Sequence, residues 1–306
     1  MPQRLLPSGH LMELFAPYRN DETRMIGVIE RAVSFGFYKN LELGIFFDRE
    51  NRRKVRSLLE ENDLKTTTFG TPWIKERHLS LCSLDADERR KAVDLMKQLA
   101  ALSAEAGCTV FGVPSGDDPG PAFRGFAKLV LLDALEEIAG TCRELGMFLS
   151  IEPLDRYAFK KQLIGPIAES VRWFRELHDR CPNTILHWDS AHEALGRIDL
   201  SESLAVAAPY IGQAHLCNAI TDESHPCFGD LHMDVGAAPD YGTEGYLTPD
   251  VGAALLRQLA EYDDPKGWNT CYVAVEVLGH PGDDLWRKER IVREFTAECF
   301  RRAGLI

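Results

Sequence analysis

Short β-branched and apolar runs alternate with longer amphipathic stretches along the whole sequence. Strand-like runs are HLMELF (10–15), NLELGIF (40–46), LKTTTFG (64–70), CTVFGVP (108–114), MFLSIEP (147–153), TILHWD (184–189), YIGQAHL (210–216) and CYVAVEV (271–277). Helical spacing fills 21–36, 48–62, 85–106, 121–145, 164–180, 200–208, 249–262 and 283–303, with Asp85 as an N-cap and Glu88 completing its capping pattern. Eight strand–helix units with no linker between them predict an α/β fold: a single (β/α)8 TIM barrel over residues 1–306. Residues 217–248 lack a period and form a long loop after strand seven. A doubly wound open sheet is the alternative, weakened because no GxGxxG follows the first strand.

Functional groups of such a barrel collect where strands end at their C-terminal pole. Strand five ends in Glu152, strand six in Asp189 with His192 three residues on, strand seven in His215 and strand eight in Glu276. Three carboxylates and an imidazole on four consecutive strands suit one hard or borderline dication, Mn²⁺, Mg²⁺, Co²⁺ or Zn²⁺. Such a cation would offset the repulsion of three anions at one mouth. A lone polar residue at a strand end would carry no such message; four in succession do.

Composition narrows the partners. There are 35 basic and 47 acidic residues, a net charge of −12, which argues against a broad nucleic-acid surface. No apolar run is long enough for a membrane span, and the N-terminal stretch lacks a signal-peptide pattern. Eight dispersed cysteines without a CxxC pair read as buried thiols of a cytoplasmic protein.

The segments SIEPLDRY, HWDSAHEALG, GQAHLCN and VAVEVLG resemble the metal-site strands of the xylose-isomerase-like TIM barrels, with ligand spacings of 37, 26 and 61 residues. That superfamily includes sugar isomerases and ketose 3-epimerases, inosose isomerases and dehydratases, and type-IV abasic-site endonucleases. The resemblance implies that Glu152, Asp189, His215 and Glu276 hold one divalent metal, which polarises a substrate carbonyl and its neighbouring hydroxyl. It implies that Glu152 and Glu276 move a proton on the carbon between those oxygens, and that His192 binds a substrate oxygen. The expected activity is isomerisation or epimerisation of a ketose, keto-sugar or inosose. A dehydratase or β-elimination lyase is the alternative. A non-catalytic sugar-binding relative is an alternative of another class, disfavoured because all four ligands are present. Dimers and tetramers are common among such barrels, so a homo-oligomer is compatible with the resemblance.

The chain also departs from the pattern. The ketose epimerases carry a glutamate six residues after the first ligand and an arginine six after the histidine ligand; here these are Ala158 and Thr221. Both departures speak against a simple free-ketose 3-epimerase. Arg156 is a substrate-binding candidate or a rim ion pair. Glu42, and less so Glu13, end strands two and one and are placed to reach substrate or to pair at the rim. Phe69 and Trp73 are an apolar wall or core, and Trp188 is expected outside the barrel. Asp230 and His232, in the long loop, resemble the pair that holds a further zinc in the endonucleases. The strand-four mouth offers no histidine, even if His78 serves strand three, so one metal is expected. His232 is then a lid residue touching substrate or part of a self-bonded loop.

Overall fold

In the computed structural model, residues 4–236, 244–262 and 270–306 are described. The elements run β1 (Arg4–His10), α1 (Leu11–Leu14), α2 (Glu22–Ser34), β2 (Asn40–Leu43), α3 (Arg49–Glu61), β3 (Lys65–Phe69), α4 (Thr71–Glu76), α5 (Ala86–Glu105), β4 (Val110–Val113), α6 (Arg124–Glu144) and β5 (Phe148–Ile151). They continue with α7 (Ile167–Arg180), β6 (Thr184–Asp189), α8 (Ser190–Leu195), α9 (Leu200–Ala207), β7 (Ile211–Ile220), β8 (Gly229–Met233), α10 (Pro249–Glu261), β9 (Thr270–Glu276) and α11 (Leu285–Ala303). The strand order is β6-β5-β4-β3-β2-β1-β9-β7, and β6 also pairs with β7, so eight parallel strands close a (β/α)8 barrel. The ninth, β8, is an antiparallel appendage of β7. Among the described residues no helix is long and apolar enough to cross a membrane.

Packing divides the chain into two compact units, 43–187 and the combination of 1–42 with 188–306. In the first, β4 pairs with β3 and β5, and the helices bring apolar faces such as Val93, Met96 and Leu99 of α5 and Leu131, Leu135 and Ile138 of α6 into the core. The α5 cap differs from its expected form. Asp85 accepts the N–H groups of Asp87 and Glu88, but the Glu88 carboxylate accepts the Ser83 hydroxyl at 2.9 Å, and that hydroxyl accepts the Asp85 N–H.

In the second unit the period of two sorts each strand into two chemistries. One face carries Leu41 of β2, Trp188 of β6, Leu216 of β7 and Val273 and Val275 of β9, all buried. Trp188 donates its indole N–H to Ser203 of α9 at 2.8 Å, the outward packing expected for it. The opposite face carries Ser8 and His10 of β1, Asn40 and Glu42 of β2, Asp189 of β6, Gln213, His215 and Cys217 of β7 and Glu276 of β9, also buried. Register aligns them in layers: Ser8 lies opposite Asn40, His10 opposite Glu42, and Cys217 opposite Glu276.

Two sequence expectations change. HLMELF is not the first strand; Arg4–His10 is, and 11–14 form a helical turn burying Leu11, Met12 and Leu14. Pro7 and Gly9 obscure the strand because proline lacks a ladder donor and glycine has no side chain to pack. The Pro7 carbonyl still accepts the Lys39 N–H at 2.8 Å. His10, not Glu13, therefore ends β1. The segment after strand seven is also more ordered than its missing period suggested: β7 continues to Ile220 and β8 pairs back on it. Residues 237–243 of that segment lie outside the described residues.

Gly279 ties the end of β9 to α1, donating its N–H to the Glu13 carbonyl at 3.0 Å. A Cβ there would lie 2.0 Å from the Leu14 carbonyl oxygen, whereas one at exposed Gly27 in α2 would meet nothing within 4 Å. Gly279→Ala should therefore cost about 2 kcal/mol. Gly27→Ala should stabilise by up to about 1 kcal/mol through helix propensity. Urea denaturation of both variants checks the opposite signs.

Candidate metal and active site

Four side chains from β1, β2, β7 and β9 form a closed ring of alternating imidazole and carboxylate. His215 Nε2 lies 2.7 Å from Glu42 Oε2, and His215 Nδ1 lies 3.0 Å from Glu276 Oε2. Glu276 Oε1 lies 3.0 Å from His10 Nε2, and His10 Nδ1 lies 3.4 Å from Glu42 Oε2. The two imidazole rings are 4.9 Å apart. The other Glu42 oxygen accepts the Ser8 hydroxyl at 2.8 Å, and that hydroxyl accepts the Asn40 amide at 2.9 Å. Glu42 is fully buried, with its Oε2 on His215 Nε2.

Asp189 caps α8, its Oδ1 accepting the N–H groups of Ala191 at 2.7 Å and His192 at 3.2 Å. Its Oδ2 is buried without a hydrogen-bond partner, 3.9 Å from His215 Nδ1. His192 is buried, with Nε2 3.9 Å from Asp230 Oδ2. Residues of β8 adjoin this group. His232 Nε2 is 3.1 Å from Asp230 Oδ2, and its Nδ1 is 3.3 Å from Glu276 Oε1 and 4.0 Å from Glu13 Oε2. A left-handed backbone at His232, φ 47°, turns the imidazole toward these carboxylates. Glu13 itself pairs with Arg19 at 3.0 Å.

The crowding sets the protonation of the metal-free site. Burial works against charge on His215, but Glu42 and Glu276 outweigh it and raise its pKa well above the usual histidine range. Both ring nitrogens face carboxylate oxygens, which accept only, so the ring is an imidazolium. Burial likewise opposes charge on His232, yet Glu276 and Asp230 lift its pKa to about 10. Burial would raise Glu276, but His232, His215 and His10 hold its carboxylate well below the usual range. Asp189 is pushed up by burial and by Glu276 and Asp230, against the lowering effect of His192.

These residues fit a divalent cation. The orphaned oxygen of Asp189 at the end of β6, the carboxylate of Glu276 at the end of β9 and Nδ1 of His215 within β7 form a hard-to-borderline donor set. Glu42 on Nε2 provides the carboxylate that typically orients a metal-binding histidine.

In the unit of residues 43–187, Glu152 follows β5 and is partly exposed, its Oε2 3.7 Å from Nδ1 of buried His187. Of the two roles open to Arg156, substrate contact or ion pair, its fully buried side chain is seen in the ion pair. It pairs with Glu169, donates to the Leu163 carbonyl at 2.7 Å and lies over the Tyr157 ring. Phe69 is buried near His187, and Trp73 packs edge-on against Phe47. His78 is exposed at the end of α4.

Sequence reasoning missed His10, His187, Cys217 and Tyr246. Tyr246 donates to the Cys217 carbonyl at 2.7 Å, fixing the strand beside Glu276. For His10 the placement of the first strand at 10–15 hid the signal; for His187 and Cys217 the signal was the period of two counted back from Asp189 and onward from His215.

In the metal-free protein Glu276 and Asp230 outweigh burial and push the His232 pKa up to about 10, against about 6.5 for an unperturbed histidine. Its stabilising charge is fully present below 6.5 and is lost as pH rises through about 10. The chelator-treated protein should therefore lose thermal stability between those values, and His232→Gln should lose less. An equal fall in both proteins would contradict this.

A family model described as xylose isomerase-like TIM barrel matches residues 30–249. A D-psicose 3-epimerase solved in the presence of D-fructose is similar over 98% of this chain and 99% of its own, with 16% identity and a TM-score of 0.70. An L-ribulose 3-epimerase is similar over 99% of this chain and 96% of its own, with 14% identity and a TM-score of 0.67. A 3-keto-D-glucoside 4-epimerase from E. coli covers 96% of this chain and 99% of its own, with 15% identity and a TM-score of 0.65. At these identities the likeness is one of fold. No curated protein matches the sequence. The match to the family model spans most of the chain, and with the closed barrel it shows that the chain belongs to the xylose isomerase-like TIM barrel family.

Proposed function

We propose that this chain is a divalent-metal-dependent sugar isomerase or epimerase, working as one domain of 306 residues. The observation that carries the reading is the buried Asp189 Oδ2, without a hydrogen-bond partner, beside His215 and Glu276. We assign Asp189, His215 and Glu276 as ligands, with Glu152 as the fourth by the family pattern. The folds with which this one aligns include enzymes named as sugar epimerases, which supports the substrate class.

A bound dication supplies Lewis acidity to a substrate carbonyl and its neighbouring hydroxyl. The protein's own groups then move the proton. Glu152 and Glu276 act on the carbon between those oxygens: one takes its proton and the other returns one from the opposite face, inverting configuration. The surrounding imidazoles keep Glu276 ionised, the form a base requires. His192 and His232 meet substrate oxygens. Glu42 and Arg156 act indirectly, Glu42 by orienting His215 and Arg156 by fixing the loop after β5.

Ala158 and Thr221 stand where the ketose epimerases carry a charged sugar contact. That difference favours a keto-sugar or inosose over a free ketose and keeps dehydration or β-elimination as the second reading. Eight free thiols, seven of them buried, suit the cytoplasm.

Solvent deuterium exchange tests the assignment on a panel of ketoses, inososes and 3-keto sugars. The metal-loaded enzyme should incorporate deuterium beside the carbonyl of at least one. Glu276→Gln and Glu152→Gln should each slow exchange by about 10²–10⁴-fold. A folded, metal-loaded enzyme that exchanges none of the panel would contradict the reading.

A further inference from the structure

Cys217 lies on β7 two residues beyond His215 and directly opposite Glu276 on β9. The period of two turns its side chain to the same face as His215, where it is fully buried. Its Sγ and one carboxylate oxygen each from Asp189 and Glu276 all lie within 4.8 Å of one another. The same sulfur makes a second such group with Asp230 and His232, and it stands 3.6 Å from Asp230 Oδ1. The ligand-seeking atom at this place is again Asp189 Oδ2, buried with no hydrogen-bond partner. A small apolar residue would fill the position as core. A thiol there adds a soft donor to a set otherwise made of oxygen and imidazole nitrogen.

We propose that Cys217 is a ligand of the cation held by Asp189 and Glu276, so that the site takes a thiophilic borderline ion, Zn²⁺ or Co²⁺, in preference to Mn²⁺ or Mg²⁺. The inference rests on the metal-dependent reading above and deepens it. As the metal–sulfur bond forms, the S–H bond breaks and its proton passes to solvent; nothing is oxidised or reduced. Thiolate donors favour zinc and similar ions, whereas carboxylate and water donors suit magnesium and manganese. Cys271, the cysteine of β9, is an odd number of residues from Glu276 and so lies on the other face of its strand.

The test is absorption spectroscopy of the full-length protein titrated with Co²⁺. One equivalent should produce a near-ultraviolet sulfur-to-cobalt charge-transfer band together with visible d–d bands. Cys217→Ser and Cys217→Ala should lose the charge-transfer band and keep d–d bands. Both should also lower the preference for Zn²⁺ over Mn²⁺ by about tenfold or more, read by competition titration. Cobalt bound without the charge-transfer band, or a band that survives in either variant, would overturn the Cys217 assignment and leave the metal-dependent reading standing. Wild-type protein that binds no cobalt, zinc or manganese would overturn both.

Discussion

Burying a carboxylate is tolerable only when an opposing charge or enough donors meet it, and this barrel buries several in one place. Glu42, Asp189, Asp230 and Glu276 all lie below a tenth exposed, and His10, His192, His215 and His232 stand among them. Removing one partner of such a buried pair typically costs about 3–5 kcal/mol, because the other charge is left uncompensated. The ring of Glu42, His215, Glu276 and His10 is therefore a structural commitment made before any ligand binds. It pre-positions the groups that the proposed chemistry needs.

The fold explains how so polar a cluster is affordable. At the site, β2, β6, β7 and β9 turn Leu41, Trp188, Leu216 and Val275 to one face and Glu42, Asp189, His215 and Glu276 to the other, so hydrophobic and ionisable groups are buried on separate faces. Parallel strands bring their C-terminal ends to one pole, so residues distant in sequence meet at the same level. The hairpin of β7 and β8 carries Asp230 and His232 to the same cluster. Gly279 and Tyr246 act at short range, holding the end of β9 against α1 and pinning β7 beside it.

Asp189, His215 and Glu276 were visible in the sequence because each lies in a β-branched or apolar run whose period identifies the strand, Asp189 and Glu276 at its end and His215 within it. The barrel was legible for the same reason, as eight repeats of one pattern. His10 was not, since RLLPSGH contains a proline and a glycine where an apolar alternation was sought. β8 was not, since GDLHM is short and half polar and becomes a strand only by pairing with the extension of β7. Glu42 was visible as a strand-end carboxylate, but its partner His215 is 173 residues away. Local spacing cannot distinguish a substrate contact from a carboxylate that orients an imidazole. Arg156 carries the same ambiguity, its guanidinium meeting Glu169 and the Leu163 carbonyl.

In the proposed site Asp189, His215 and Glu276 together bind a divalent cation while Glu42 holds the far nitrogen of His215. A crystal structure of the zinc- or manganese-loaded protein, with anomalous scattering collected at the metal edge, tests it most directly. One dominant peak is expected about 2.0–2.2 Å from Asp189 Oδ2, His215 Nδ1 and a Glu276 oxygen, with His215 Nε2 still on Glu42. A metal-saturated crystal with no peak among these three residues, and His215 Nδ1 still paired to Glu276, would contradict it.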